Sequence, residues 1–264
     1  MNYELREKWF SPSGGGRGRT LLIVLCLIVG CNKEDAWDFV KTRGERVIEE
    51  RAVSSFHTIT VKNGINVVLA HGDSYTATVE GWKNLMPKIR LTVENDGELV
   101  VEDVNKYNYM RNRGNMTTVR LTIANELNTI YFSGDGDFVS NDTIVTSGLN
   151  IISTGSGSVD IKVKTGGIHV GANHKNVALI TVRGLGYSVG ITNWGYSPVD
   201  LSDFKASHAA VAQRGPGNSY INAAESIDVT FFSGTGDVYY AGNPSSITFT
   251  RENKGKGNLY RIDN

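Results

Sequence analysis

Cysteine is scarce in this sequence: two of its 264 residues are cysteines, Cys26 and Cys31, and none follows. The chain after residue 31 therefore has no means of forming a disulfide, a thiolate metal site or a cysteine nucleophile. A fold built from that part of the chain must be stabilised by its own apolar core.

An excess of charge of either sign is also missing. The chain has 27 Lys and Arg residues against 27 Asp and Glu residues, with 40% hydrophobic and 20% charged residues. This composition is typical of a globular protein rather than a disordered one. A nucleic-acid partner would require a basic surplus or a basic stripe, so we expect none.

The apolar run at residues 21–29 is too short to cross a bilayer as a helix. It has nine residues, whereas a membrane-spanning helix needs roughly 20. Arg17 and Arg19 precede it. A basic segment followed by a short apolar segment predicts a secretory signal.

The apolar run ends Leu27-Ile28-Val29-Gly30-Cys31, which resembles the bacterial lipobox. This resemblance implies a signal peptide at residues 1–30, cleavage between Gly30 and Cys31, and a lipid on the Cys31 thiolate. Removal of the signal leaves 23 basic and 25 acidic side chains, a net charge of about −2. An ordinary secretory signal that happens to end in cysteine is the alternative.

Residues 31–44 are predicted to tether the lipid to a folded domain over residues 45–264. Asn32 resembles a residue that permits transfer to the outer membrane, and Lys33-Glu34-Asp35 resembles a short acidic signal for surface display in some Gram-negative lineages. We therefore expect a protein that is lipid-anchored in the outer membrane and faces outwards. A periplasm-facing orientation is the alternative.

Helical periodicity is nearly absent from the rest of the chain. Apolar and polar residues alternate with a period of two, which predicts β-strands separated by turns such as Asn63-Gly64 and Asn95-Asp96-Gly97. Only residues 82–86 could form a helical turn, which Pro87 would stop. The segment 105–116 is predicted to be an exposed loop. The predicted strands include residues 56–61, 65–69, 75–79, 89–93, 99–101 and 119–123.

Six Gly-x-Gly triplets recur in the second half of the chain, with successive spacings of 21, 29, 31, 19 and 21 residues. Repeats of about 20 residues with one glycine corner each predict a β-solenoid, in which every turn buries its inward side chains against its neighbours. The two longer intervals predict loops extruded from two turns. A right-handed parallel β-helix is the expected fold, with a β-sandwich as the alternative. The triplets begin at Gly134, Gly155, Gly184, Gly215, Gly234 and Gly255.

The segment Asn63-Gly64-Ile65-Asn66-Val67-Val68-Leu69 resembles the GIN domain family, described as a putative autotransporter adhesin head. The resemblance continues through residues 71–73, 81–89 and 133–137 and covers roughly residues 45–262. It implies a β-helix-like solenoid and an adhesin-type function, with no catalytic residues to assign. Arg183 and Arg214 depart from the pattern because they replace a small hydroxyl residue before a Gly-x-Gly triplet, so different corners are expected there.

The polar residues indicate no metal site or cofactor. Asp135, Asp137 and Asp237 on glycine turns would suit calcium, but turn formation explains them better. The five histidines show no ligand spacing. A carbohydrate-active β-helix enzyme would need carboxylates, or a carboxylate and an arginine, on one face. The sequence alone does not align the candidates for such a set, which are Asp160, Asp200, Asp203 and Asp237.

Tyrosine and tryptophan are the best candidates for ligand binding, because these side chains are favoured at interfaces. Trp194 and Tyr196 are the candidate binding residues, since they lie in one of the long intervals. At least half of the aromatic residues are expected to stack inside the solenoid instead. The predicted function is a non-catalytic adhesion or ligand-binding module for a glycan or protein. The alternatives are a carbohydrate-active lyase or hydrolase and a purely structural envelope protein.

Overall fold

The computed structural model describes residues 43–94, 96–105, 116–124, 127–252 and 254–262. The chain divides into two units at residues 1–41 and 42–264, and the fold below is that of the second unit. The predicted signal peptide, the predicted Gly30–Cys31 cleavage site and nearly all of the predicted tether lie outside the described residues. So does most of the predicted loop at 105–116.

The described residues form sixteen β-strands and a single 3₁₀ turn at Met86–Lys88, without an α-helix. No helix in this part of the chain has the length and apolar character needed to span a membrane. The strands are β1 (Arg46–Arg51), β2 (Thr58–Asn63), β3 (Ile65–His71), β4 (Thr76–Trp82), β5 (Ile89–Val93), β6 (Glu98–Asp103), β7 (Thr117–Ile123), β8 (Thr129–Gly134), β9 (Asp137–Ser153), β10 (Ser158–Ala172), β11 (Leu179–Asn193), β12 (Val199–Gln213), β13 (Ser219–Phe231), β14 (Val238–Ala241), β15 (Ser246–Arg251) and β16 (Leu259–Arg261).

The strands wind into a parallel β-solenoid of about six turns, which confirms the predicted fold class over the β-sandwich alternative. Each turn passes through three short segments, which we call faces A, B and C. In β10 these are residues 158–160, 162–165 and 167–172. Strands β9 to β13 stack in parallel register, so that equivalent side chains form columns. One inward column on face C consists of Ile151, Val170, Ile191, Val211 and Val229.

The corners between faces C and A recur more regularly than the Gly-x-Gly triplets predicted. Backbone hydrogen bonds connect equivalent corner positions of successive turns, and these positions are only 19–21 residues apart. The prediction of two extruded loops was therefore wrong. The corner column is Gly134, Gly155, Asn176, Gly195, Gly215, Gly234 and Gly255.

Two features of the sequence concealed this regularity. Gly184-Leu185-Gly186 is not at a corner but lies within β11, on face B. The corner that follows Gly155 has Asn176 instead of a glycine, and its buried amide donates to Ala178 O at 3.0 Å and accepts from Ser153 Oγ at 2.5 Å. The side chain thus supplies the corner with hydrogen bonds that a Gly-x-Gly search cannot detect.

Glycine is required at most corners because successive turns approach closely there. A Cβ on Gly157 would lie 1.7 Å from Gly136 O, and one on Gly155 would lie 2.4 Å from Gly134 O. Neither distance is possible for a real side chain. Close stacking of backbone on backbone therefore selects glycine at these positions.

Phenylalanine, rather than tyrosine or tryptophan, provides the large rings of the core. Phe132, Phe138, Phe204 and Phe231 are fully buried among Val, Ile and Leu side chains, whereas no described tyrosine or tryptophan is buried. The prediction of an internal ladder that includes half of the tyrosines and tryptophans was wrong. A buried phenol or indole needs a hydrogen-bond partner that an apolar solenoid core does not provide.

Antiparallel strands close the N-terminal end of the solenoid. β1 pairs with β4 and β4 with β7, while β5 and β6 pair on either side of the predicted turn that includes Gly97. Asn63-Gly64 is not a hairpin, because β2 and β3 do not pair and Asn63, at φ 63°, turns the chain from one face to the next. Pro87 lies inside the 3₁₀ turn rather than stopping it.

The strand order gives the distance between the two ends of the solenoid. The pairing order from β1 to β16 contains eleven strands. At about 4.8 Å per strand spacing, β1 and β16 are separated by about 48 Å along the axis. The C-terminal strands β15 and β16 thus lie at the opposite end from β1.

Candidate functional site: the exposed corner between faces C and A

Trp194 and Tyr196, the residues singled out in the sequence, flank the corner residue Gly195. Trp194 is 39% exposed and Tyr196 is 65% exposed. The backbone beneath them is held by the preceding turn: Trp194 N donates to Ala172 O at 2.8 Å, and Tyr196 N donates to Asn176 O at 3.0 Å. Both aromatic side chains therefore project from a rigid corner rather than from a long loop.

The corner backbone is rigid because buried polar side chains hydrogen-bond to it from within. Asn193 Oδ1 accepts from Gly195 N at 2.9 Å, and Asn193 Nδ2 donates to Gly217 O at 3.0 Å. In the next turn Gln213 Nε2 donates to Gly217 O at 2.7 Å. Asn193 and Gln213 are fully buried, and satisfied buried amides of this kind fix a backbone geometry.

Tyr196 is part of a line of exposed apolar side chains on successive turns. Val177 occupies the equivalent position one turn earlier and is 47% exposed, and Pro216 occupies it one turn later and is also exposed. We call Val177, Trp194, Tyr196 and Pro216 the corner ridge. An exposed apolar line on a soluble domain is typical of an interaction surface.

Trp194 also belongs to a second line of side chains along the same corner, between His174 and Arg214. The His174 ring meets it edge-on with 6.0 Å between centroids, and the Arg214 guanidinium lies 4.8 Å from its centroid on the other side. Arg214 also lies 3.6 Å from the Phe232 ring. The corner at Arg214 has the same backbone position as its neighbours, so the predicted different corner is absent. The arginine stacks between two rings instead.

Three tyrosines form a ladder on the outside of face A near the C-terminal end. Tyr220 stacks on Tyr239 with 4.9 Å between centroids, and Tyr239 stacks on Tyr260 with 5.5 Å. The removal of water by the neighbouring rings and the Asp237 carboxylate raise the pKa of the Tyr239 phenol. Aromatic pairs on adjacent strands stabilise a sheet, so this ladder has a structural role irrespective of any ligand.

The structure also shows which carboxylates share one face of the solenoid, which the sequence alone could not show. Asp160 and Asp200 occupy one outward column on face A, two turns apart. Arg183 binds both carboxylate oxygens of Asp160 and lies 4.0 Å from Asp203. These carboxylates raise the pKa of Arg183. Both carboxylate oxygens of Asp160 are thus engaged by Arg183, whereas the Asp203 carboxylate is largely exposed to solvent.

The aspartates on the glycine corners connect adjacent turns. Asp137 Oδ1 accepts from Ser158 Oγ at 2.6 Å, and Asp237 Oδ1 accepts from Asn258 N at 2.8 Å. Both hydrogen bonds reach a residue 21 positions later in the chain, so these aspartates link successive turns of the solenoid. Among the described residues, one acidic group with metal-ligand spacing went unpredicted: Glu94, Asp96 and Glu98 at the tip of the β5–β6 hairpin.

Comparison with solved structures shows which proteins share this fold. A putative adhesin from Bacteroides fragilis NCTC 9343 matches with a TM-score of 0.74 and 22% identity, over 83% of this chain and 97% of its own. A putative adhesin from Parabacteroides distasonis ATCC 8503 matches with a TM-score of 0.62 and 14% identity, over 83% and 98%. A putative lipid binding protein from the same strain matches with a TM-score of 0.58 and 17% identity, over 83% and 97%. At these identities the likeness shows a shared solenoid fold.

The sequence itself identifies the family. The family model described as "Putative auto-transporter adhesin, head GIN domain" matches residues 55–244. The chain therefore belongs to the GIN head domain family. A comparison with curated proteins found no match.

Proposed function

We propose that this chain is a lipid-anchored cell-envelope protein that acts as a non-catalytic adhesion or ligand-binding module. Membership of a family of putative adhesins supports a surface role. The observation that carries the proposal is the corner ridge, where aromatic and aliphatic side chains are held in solvent by a hydrogen-bonded backbone. Pre-organised aromatic groups bind ligands at a low entropic cost.

The position of the two ends of the solenoid supports a protein tethered at its N-terminus. Residue 43 leads into β1 at one end, and β16 lies about 48 Å away, given about 4.8 Å per strand. A lipid on Cys31 would precede β1 in the chain.

Substitution of the corner ridge tests the binding role. In Trp194→Ala/Tyr196→Ala we expect attachment to host matrix or to neighbouring cells to fall by about tenfold or more, because central aromatic residues dominate interface energies. Tyr131→Ala is the matched control, since Tyr131 is 43% exposed but lies on the outside of face C. Equal attachment of the ridge variant, the control and the unmodified protein would exclude the ridge as a binding surface.

The anchor and the orientation need a separate experiment. Protease treatment of intact cells should digest the protein while a periplasmic marker survives, and Cys31→Ala should release the chain from the membrane fraction. Protection of the protein until the outer membrane is opened would exclude surface adhesion and favour a periplasm-facing role.

A carbohydrate-active enzyme is the second candidate, and the Asp160–Arg183–Asp203 cluster is the observation that favours it. Incubation with acidic polysaccharides would then yield unsaturated products that absorb in the ultraviolet, or new reducing ends. Asp203→Asn should abolish either product. Unchanged substrate after prolonged incubation would leave the binding role or a purely structural role.

A further inference from the structure

A shallow groove of about 520 Å³ runs across four successive turns where face B meets face C. Its size lies within the range of small-molecule sites, roughly 300–1,000 Å³. Trp194 is four residues after the lining residue Gly190, so at about 3.3 Å per strand residue the groove and the corner ridge are about 13 Å apart. The groove is lined by Asn128, Ser147, Gly148, Leu149, Asn150, Gly167, Ile168, His169, Ser188 and Gly190.

The groove offers hydrogen bonds but no charge. Its polar side chains are amides, hydroxyls and one imidazole, and none of its ten lining residues is Lys, Arg, Asp or Glu. Asn150 and His169 occupy one outward column of face C on adjacent turns. Two polar side chains therefore lie side by side in the groove at the strand spacing of about 4.8 Å, and Gly190 follows them in the column.

The imidazole in the groove has one hydrogen-bond partner within the protein. His169 Nε2 lies 3.2 Å from Thr192 Oγ1, and partial burial lowers the pKa of His169. A neutral imidazole has one donor and one acceptor. With Thr192 engaging one ring nitrogen, the other is available to a hydroxyl group, which accepts and donates equally well.

An aromatic ring borders the groove and is held in place. Tyr187 precedes the lining residue Ser188 and is 63% exposed. Its hydroxyl lies 3.1 Å from His208 Nε2, while His208 Nδ1 lies 2.8 Å from Ser226 Oγ. The His208 ring also meets the Tyr187 ring edge-on at 4.9 Å. An exposed tyrosine fixed in this way presents a rigid apolar surface with a polar rim.

We infer that this groove binds a neutral, hydroxyl-rich glycan chain lying along the solenoid axis. The amides, hydroxyls and His169 hydrogen-bond the sugar hydroxyls, and the Tyr187 ring packs against the apolar side of a sugar. Acidic sugars are disfavoured because the lining has no cation to pair with them. This site is distinct from the corner ridge, and its assignment does not depend on the adhesion role of that ridge.

Gly148 allows the groove to be filled without disturbing the fold. A Cβ at this position would have Gly167 O as its nearest neighbour at 3.9 Å, an ordinary contact. Gly148→Trp therefore places an indole in the groove. Val145→Trp is the matched control, because Val145 is exposed on face B and does not line the groove.

The test measures binding of defined oligosaccharides to the purified full-length chain by calorimetry and saturation-transfer NMR. The probes are neutral hexasaccharides of β-1,4-glucose, α-1,4-glucose, β-1,4-mannose and N-acetylglucosamine, with hexagalacturonate as the acidic probe. We expect at least one neutral probe to bind, Gly148→Trp to weaken it about tenfold or more, and Val145→Trp to leave it unchanged. His169→Ala and Tyr187→Ala should each weaken it too, and far-UV circular dichroism verifies that every variant is folded.

Three results would overturn the inference: no neutral probe binds, only hexagalacturonate binds, or neutral binding survives both Gly148→Trp and Tyr187→Ala. Cell attachment, measured in parallel, distinguishes failure of the groove inference from failure of the proposed function. Loss of attachment in Trp194→Ala/Tyr196→Ala with no glycan binding would retain the adhesion role and reject the groove. Glycan binding without any cell attachment would retain the groove as a glycan site and reject the adhesion role.

Discussion

Close stacking at the corners can be tested with two glycines that differ only in their surroundings. At Gly157 an added Cβ would lie 1.7 Å from Gly136 O, where at least 3.0 Å is needed, so Gly157→Ala must push two turns apart by about 1.3 Å. At Gly148 the nearest atom is 3.9 Å away. Neither glycine has a positive φ, so a steric clash is the relevant difference.

The expected cost follows from the hydrogen bonds at this corner. Ser158 N donates to Gly136 O and Leu179 N donates to Gly157 O, each at 3.2 Å. Each buried backbone hydrogen bond that is lost costs about 1–3 kcal/mol, so Gly157→Ala should lower the free energy of unfolding by about 3 kcal/mol. Gly148→Ala should raise it by about 0.5–1 kcal/mol, because alanine restricts the unfolded chain.

Urea unfolding of the full-length chain, followed by circular dichroism and tryptophan fluorescence, measures both effects. For a slope of roughly 2 kcal/mol per molar, the midpoint should fall by about 1.5 M in Gly157→Ala and rise by about 0.4 M in Gly148→Ala. If Gly157→Ala unfolds at the same urea concentration as the unmodified protein, the turns do not approach each other as described. The argument for glycine at the corners would then be refuted.

Three further predictions follow from individual side chains. Asn193→Ala should lower the free energy of unfolding by about 2–4 kcal/mol in urea titrations, because it leaves Gly195 N and other corner groups buried without partners; a loss below about 1 kcal/mol would contradict this. Arg183→Gln should cost only about 0.5 kcal/mol and nothing measurable in ~1 M NaCl, because its ion pair with Asp160 is 39% and 41% exposed. Burial lowers the pKa of His169, so the folded state binds that proton less readily than the unfolded state. Stability should therefore decline as pH falls below about 6.5, and His169→Gln should reduce this decline in thermal melts recorded from pH 8 to 5.

Alternation and repeat length were sufficient to predict the fold class. A period of two in the strands and a repeat of about 20 residues leave few alternatives to a solenoid, since each turn must bury one side of its strands against its neighbours. The hairpin at residues 95–97 was also predictable, because Gly97 takes the positive φ that its turn requires. The corners at Asn176 and Gly195 were not, since an amide side chain replaces glycine at one and Gly195 is not part of a Gly-x-Gly triplet.

The candidate sites, too, were predictable from the sequence only in part. Trp194 and Tyr196 were identifiable from the sequence as a local aromatic cluster, although the reason for their exposure is a corner rather than a loop. Val177 and Pro216 completed the ridge only in three dimensions, because they are about 20 residues away on either side in the chain. The groove had no local signal, since its amides, hydroxyls and glycines are ordinary strand and corner residues.

The sequence by itself determined the class of fold, the family and the expected export signal, because periodicity and short motifs are local properties of the chain. Only the tertiary structure decided which residues stand side by side. In a solenoid, neighbours along the axis are separated by one whole turn of chain. Turns of different length still stack in register, because bulges within the strands absorb the extra residues, and the positions of those bulges decide which side chains share a surface. Corner geometry sets that register, and it depends on contacts between turns that no single segment contains.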